Sequence, residues 1–374
     1  MQRKLSSRQG MALAVAIFAI VLIGAIVTGA FFAATQEYRI GSNSLVQTRS
    51  LSTAEFGLSE TMSGWSTPES SLPIGTVRNL TFTDANGGTA TVRLTRLNET
   101  AFSLVSEGSA GTNLNNAARR QIALMLKLRM PQMAFLGALT VRGSTRLGGS
   151  SFIDGTDHNP PGWDCPPLGD MMPAVATNDA ANVTFSGCTE GDCLEGDPPI
   201  LEDPRAGQDS TYFEFGDVAW ADLVAAANKV YDDGATLVGI GPSVTGGVCN
   251  TGVLSNWGDV SRTTACKSYF PVVYGKGNLK INGGIGQGIL LVEGDLEVAG
   301  GFEFYGPVIV KGHLKTTGTG GHFNGGVMAA NVDLEQNTVL GNAVVNFSRC
   351  AINQAVINSA VPQKMAERAW VEVF

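Results

Sequence analysis

The chain has 374 residues, 44% of them hydrophobic, 16% charged and 47 of them glycine. That is long enough for two or three domains and too apolar for a disordered polymer. Asp and Glu (33) outnumber Lys and Arg (25), and three of the cations, Arg3, Lys4 and Arg8, precede the first hydrophobic run. The acidic remainder repels a polyanion, so no nucleic-acid partner is expected.

Residues 11–34, MALAVAIFAIVLIGAIVTGAFFAA, carry no charge. As a helix they cover about 36 Å, enough for the ~30 Å hydrocarbon core of a bilayer. The cations before the run keep the first ten residues in the cytoplasm, so everything after about Thr35 lies outside. A cleaved secretory signal is the rival reading, with Ala30 to Ala34 as its small-residue site, although its apolar core is normally shorter. Gly10 stands directly before Met11, and SSRQGMALAVAIFAIVLIGAIVTGA resembles the class III leader of type IV pilins and pseudopilins. The resemblance implies that a prepilin peptidase cuts after Gly10 and leaves Met11 as the new N-terminus. It also implies that the helix bearing Leu13, Val15, Phe18, Leu22 and Phe31 stays as membrane anchor and filament core. Val15 occupies the position where most pilins carry Glu, a departure that PilX-type proteins and K-type pseudopilins tolerate, which points to a minor subunit. SLSTAEFGLSETM, residues 50–62, is similar to the segment that follows the span in PilX N-terminal proteins. Glu55 within it reads more simply as a charge on the solvated face of the extended helix.

After Trp65 the pattern changes to short alternating runs. Residues 75–83, 89–97, 101–107 and 121–130 read as strands, with Val92, Leu94, Phe102 and Leu104 inward and Asn86-Gly87-Gly88 as a hairpin turn. Ile122, Leu124, Leu126 and Leu128 follow a period of two, which a helix does not produce. A long helix on a four-strand antiparallel sheet is the pilin-like arrangement.

From Val272 the sequence repeats itself. VVYGKGNL (272–279), ILLVEGDL (289–296), PVIVKGHL (307–314) and VMAANVDL (327–334) align, and three of them carry Gly at one place, Gly277, Gly294 and Gly312. Such a period suits a solenoid whose coils stack at the strand spacing. Residues 339–347 read as a partial fifth rung, and LTVRGSTRLGGSSFIDG (139–155) as a first rung, which makes 156–271 one large insertion. The run from Phe304 to Leu334, with Ser348 to Ala351 after it, resembles the C-terminal β-helical domains of PilX-like proteins. Gly283-Gly284-Ile285-Gly286-Gln287-Gly288 lacks the Lys-Ser/Thr and the strand-helix frame of a phosphate loop. Phe302, Phe304, Tyr305 and Phe323 read either as an exposed sugar or partner surface or as an internal stack. The expected organisation is therefore a basic leader (1–10), a transmembrane and extended helix (11–64) and a small antiparallel sheet (65–135). A right-handed parallel β-helix with its insertion (136–350) and a partly helical tail (351–374) complete it, an α+β unit followed by an all-β one.

All six cysteines, Cys165, Cys188, Cys193, Cys249, Cys266 and Cys350, lie beyond the span in an oxidising compartment, so disulfides are expected. Of fifteen pairings, one closes Cys188 on Cys193 and Cys249 on Cys266 and leaves Cys165 for Cys350. Zinc through thiolates is not expected, because there is no C-x2-C and none of His158, His313 and His322 is spaced with a Cys. Carboxylates crowd 154–203, and calcium is the candidate ion around Asp192 to Asp203, with a solvated acidic loop as the simpler account. Residues 217–231 read as a helix capped by Asp217, with Trp220, Leu223, Val224 and Ala227 on its inner face.

Glycoside cleavage needs two carboxyls across one groove, and Glu293, Asp295, Glu297, Asp333 and Glu335, with His313 or His322, are the candidates. Alternation places Glu293, Asp295 and Glu297 outward on one face, where solubility alone accounts for them. No nucleophile elbow or HExxH is present. Catalysis is not expected. The resemblance implies a minor pilin-like subunit in a bacterial inner membrane or exposed in a pilus, with other pilins, the assembly machinery and the prepilin peptidase as partners and assembly or adhesion as its work. A membrane-anchored protein that binds or cleaves envelope polysaccharide is the alternative, and surface glycans are a candidate partner under either.

Overall fold

A computed structural model describes residues 9–65, 67–70, 72–110, 118–331, 337–365 and 370–373. Arg3, Lys4, Arg8, Asp333 and Glu335 fall outside the described residues. Two compact units are present: Met1–Gly64 with Ile74–Leu126 and Lys364–Phe374, and Trp65–Pro73 with Lys127–Gln363.

In the first unit, helix α1 (Gln9–Ser63) is one unbroken element, as a segment without proline allows. Its C-terminal half buries Ser50, Thr53, Ala54, Gly57, Leu58 and Thr61, spaced at three and four so that they form one stripe. The stripe packs on an antiparallel sheet of β1 (Val77–Thr83), β2 (Thr89–Arg96), β3 (Ala101–Ala110) and β4 (Ala118–Arg129), in that order, with Trp370–Val373 antiparallel to β4. The period-two residues fill the interface: Val92, Leu94, Phe102, Leu104 and Ile122 are fully buried. Two glycines set the depth of contact. A Cβ on Gly108 would lie 2.1 Å from the Ser50 carbonyl oxygen, and one on Gly57 would lie 2.6 Å from the Ala90 Cβ. The β1–β2 turn is tied to the helix through Asp84. One carboxylate oxygen accepts from the Asn86 and Gly88 amides at 2.8 Å each, and the other accepts from the Thr53 hydroxyl at 2.6 Å.

The second unit is a solenoid-like body of stacked parallel strands. One rung shows its plan: Ile289–Val292 forms the first side, Leu296–Ala299 the second and residues 302–305 the third. On the first side the stacking order is Lys229–Tyr231, Val272–Gly275, Ile289–Val292, 307–310, 327–329, Leu139–Val141, Val175–Thr177 and Ile200–Glu202. The chain therefore enters the stack in its middle at Leu139, builds outward to Glu202, crosses through 203–228 and restarts at the other end at Lys229. It then winds back until its last rung pairs with its first: Val327 lies beside Leu139, Thr338 beside Arg146 and Val344 beside Phe152.

This order corrects three expectations. Residues 156–271 are not a single insertion, because Val175–Thr177, Val183–Ser186, Ile200–Glu202, Lys229–Tyr231 and Ala235–Ile240 are strands of the stack. Rungs whose sides are only two to six residues long, with irregular corners, leave no repeat to read there. Asn337–Val339 and Val344–Phe347 are the second and third sides of the rung begun at 327, not a separate fifth rung. The helix expected over 217–231 is confined to Trp220–Ala225 behind Ala219, and Lys229–Tyr231 is claimed by strand pairing with Val273–Gly275. Phe302, Phe304 and Phe323 are interior, at most 1% exposed and clustered with Trp257, so they offer no surface. The segment expected as a partly helical tail is a helix over Arg349–Asn358 followed by strands Val361–Lys364 and Trp370–Val373.

Glycine recurs where the rungs turn from the second side to the third. Gly283, Gly300, Gly318, Gly341, Gly149 and Gly187 stand at successive levels with φ between +65° and +88°. L side chains disfavour that region, so each level needs glycine there. Gly277, Gly294 and Gly312, aligned from the sequence, stack at the preceding corner: the Gly294 amide donates to the Gly277 carbonyl at 3.2 Å, and Gly312 donates to Gly294 at 3.0 Å.

Candidate functional site

The first candidate surface is the bare half of α1. Side chains from Leu13 to Ala34 are all exposed, with Leu13 at 69%, Phe18 at 68% and Phe31 at 72%, and Val15 and Leu22 among them. Gly10 and Met11 lie on the first turn of the same helix. Full burial of one large aliphatic or aromatic side chain is worth about 1.5–3 kcal/mol. Twelve such residues stand bare between Leu13 and Phe32. Leaving them in water forgoes roughly 20 kcal/mol or more by that scale, which exceeds the whole stability of an ordinary domain. The helix is long and apolar enough to cross a membrane, and its surface requires an apolar surrounding, lipid or protein.

The second candidate is the surface of the coiled body, whose three sides are not equally open. First-side strands such as Ile289–Val292 and residues 307–310 are buried along their whole length. The crossover segment covers part of them: Trp220 Nε1 donates to Glu293 at 3.1 Å, Tyr274 Oη donates to the same carboxylate at 3.2 Å, and Lys311 Nζ reaches it at 2.5 Å beneath the Trp220 ring. Burial and the neighbouring Glu293 charge push the Tyr274 hydroxyl up. Helix Arg349–Asn358 packs against the corner between third and first sides, where a Cβ on Gly306 would meet Ala355 at 3.2 Å. On the second side, buried Leu279, Leu296, Leu314, Val339 and Leu147 alternate with open positions. A groove of about 260 Å³ crosses it, lined by Thr236, Lys280, Asp295, Glu297, His313 and Lys315. Glu297 accepts from Lys280 at 2.9 Å, and that bond, with Lys315 also near, holds its carboxyl below the usual range.

The candidate carboxylates thus divide between two sides. Glu293 belongs to the Trp220 cluster on the first side, Asp295 holds His313 through Nδ1 at 2.9 Å, and Glu297 pairs with Lys280. Glu293 does not share the face of Asp295 and Glu297 as expected, because the chain turns its corner between Glu293 and Leu296, while the other two line one groove with His313. His322 stands on the third side opposite Glu303. The acidic segment considered for calcium is spent on local bonds: Asp192 accepts from the Thr189 hydroxyl at 2.7 Å, and Asp203 accepts from the Arg205 side chain and backbone. Those bonds lower both carboxyls. Among the described residues, no three His, Cys, Asp or Glu side chains gather into a metal-sized cluster.

Three disulfides join Cys165 to Cys350, Cys188 to Cys193 and Cys249 to Cys266. Cys165–Cys350 lies where the two ends of the winding meet, beside buried Asp157, whose carboxylate accepts from the Arg349 and Gly169 amides at 2.8 Å each. Lys229, which the sequence did not single out, is 1% exposed and donates to the Thr251 and Val253 carbonyls at 2.6 and 2.5 Å. Burial lowers its pKa. The outward ladder of the second side was also missed as a set, although its signal is present in the aligned repeats as Leu279-Lys280-Ile281, Leu296-Glu297-Val298 and Leu314-Lys315-Thr316.

No family model and no curated protein matches the chain. Among solved structures it is similar to the crystal structure of the competence-associated pilin ComZ from Thermus thermophilus. The identity is 12% and the TM-score 0.26, over 88% of this chain and 97% of that one. A likeness of that size carries no argument, and the functional reading rests on the residues described above.

Proposed function

We propose that the chain is a minor pilin-like subunit of a type IV pilus or related filament, anchored by α1 and acting in assembly or adhesion by contact and not by catalysis. The observation that carries this reading is the division of one unbroken helix. Residues 13–34 are bare and apolar, while residues 50–61 are seated on an antiparallel sheet through Gly57 and Gly108. A helix built only as an anchor has no need of that second half. In this reading the peptidase cleaves after Gly10, Leu13, Val15, Phe18, Leu22 and Phe31 pack against lipid before assembly and against other pilins after it, and the body stands outside the inner membrane. The body is then a right-handed parallel β-helix, the hand favoured by right-twisted parallel strands. The test is a Gly10→Val variant expressed in the native cell. Filaments sheared from the surface contain the wild-type chain and lack the variant, which stays in the membrane fraction. Equal amounts of both in sheared filaments would overturn the reading.

A further inference from the structure

The open second side carries two outward columns, and beside the one that holds Val238, Asn282 and Ala299 runs a polar one. Strand register places its residues in a single column: Thr236, Lys280, Glu297, Lys315, Thr338, Arg146 and Thr184. The column passes without interruption across the joint between the last rung and the first. Cations occupy alternate levels, Lys280, Lys315 and Arg146, of which Lys280 is paired with Glu297 at 2.9 Å, and every level between them carries a hydroxyl or a carboxylate. Neighbouring parallel strands are about 4.8 Å apart, so the cations recur about every 10 Å. Lys315 and Arg146 are exposed, and the groove beside Lys280 and Lys315 gives the column a walled start.

We propose that this column binds an extended acidic glycan that carries one carboxylate on every second sugar. Two residues of an extended, equatorially linked glycan advance by about the spacing of two rungs. Uronates then meet the exposed Lys315 and Arg146, a third shares Lys280 with Glu297, and each intervening sugar meets Thr236, Glu297, Thr338 or Thr184. A nucleic-acid strand places one charge about every 3.4 Å, so it would bring some three phosphates for each cation into a protein of net charge −8. Glu297 decides further between them, because a sugar hydroxyl can donate to its carboxylate and a phosphodiester has no proton to give. Base stacking needs aromatic platforms, and none of the seven column residues is aromatic. This inference deepens the adhesive part of the proposed function and does not depend on processing at Gly10.

The test is isothermal titration of the full chain in detergent. The probes are an octasaccharide of alternating glucuronate and N-acetylglucosamine, its carboxyl-reduced form and a single-stranded oligonucleotide of equal charge. The acidic octasaccharide binds and the reduced form binds at least tenfold more weakly. Lys315→Gln and Arg146→Gln each lose roughly tenfold, the scale of one charge-assisted hydrogen bond, and Lys315→Arg retains binding. The proposal is overturned if the octasaccharide does not bind, if binding ignores Lys315→Gln and Arg146→Gln, or if the oligonucleotide binds as tightly. Each of those results leaves filament entry, tested separately, untouched.

Discussion

Two contacts in the first unit depend on single residues. Gly108 has no room for a side chain, since its Cβ would fall 2.1 Å from the Ser50 carbonyl and 2.4 Å from the Ala54 amide nitrogen, both backbone atoms of a packed helix. Gly108→Val should destabilise the first unit by about 2–4 kcal/mol, at or above the usual cost of overpacking, because the helix must move as a whole. A thermal melt in detergent, followed at the helical signal, measures it. Asp84 supplies a pH dependence. The Thr53 hydroxyl, then the Gly88 and Asn86 amides, hold its carboxyl below the ordinary value. A depressed carboxyl stabilises the fold above the unfolded pKa, and that contribution is lost as pH falls through the folded pKa. Wild-type stability should therefore drop between about pH 4 and the lower folded value, and Asp84→Asn should flatten that part of the profile. An equal acid slope in both proteins contradicts the assignment. The strands and the turn of this unit are legible in the sequence, because period two and turn chemistry are both local. The glycine contacts are not, since nothing near Gly108 in sequence names Ser50 as its neighbour.

The elements of the coiled body show where sequence reading stops. Rungs from 272 to 329 are visible because Gly277, Gly294 and Gly312 recur beside the same apolar run, and their interior alternates as expected. Between 156 and 271 the strands are too short, and the corners too variable in length, for a period to survive. The return of the chain to pair 327–347 with 139–154 is a contact across nearly two hundred residues, which no local pattern records. That return gives the disulfides unequal weight. Loop-closure entropy rises with loop length, and for sequence separations of 185 and 5 the chain-entropy model gives about 5 kcal/mol for Cys165–Cys350 and about 2 kcal/mol for Cys188–Cys193. The Cys165→Ala, Cys350→Ala pair should lower the denaturant midpoint much more than Cys188→Ala with Cys193→Ala. Equal losses would mean that the joint between the two ends is held by strand pairing and Asp157 alone.

At the scale of the molecule, α1 joins two requirements that no single environment meets. Its first half needs an apolar surrounding worth roughly 20 kcal/mol, and its second half is fixed to a water-facing sheet. Length and hydropathy mark the first half, and the stripe from Ser50 to Thr61 marks the second. Adding a charge to the bare half, as in Leu22→Lys, should remove the chain from filaments and from the membrane fraction while leaving the body folded, as protease resistance of the second unit will report. The central claim is processing after Gly10, and mass spectrometry of the N-terminus tests it most directly, in cells with and without an active prepilin peptidase. The account predicts a chain starting at Met11 that reverts to the uncut form when the peptidase is absent. An intact Met1 in both cells, or a cut near Ala34 that discards the apolar half, would contradict it.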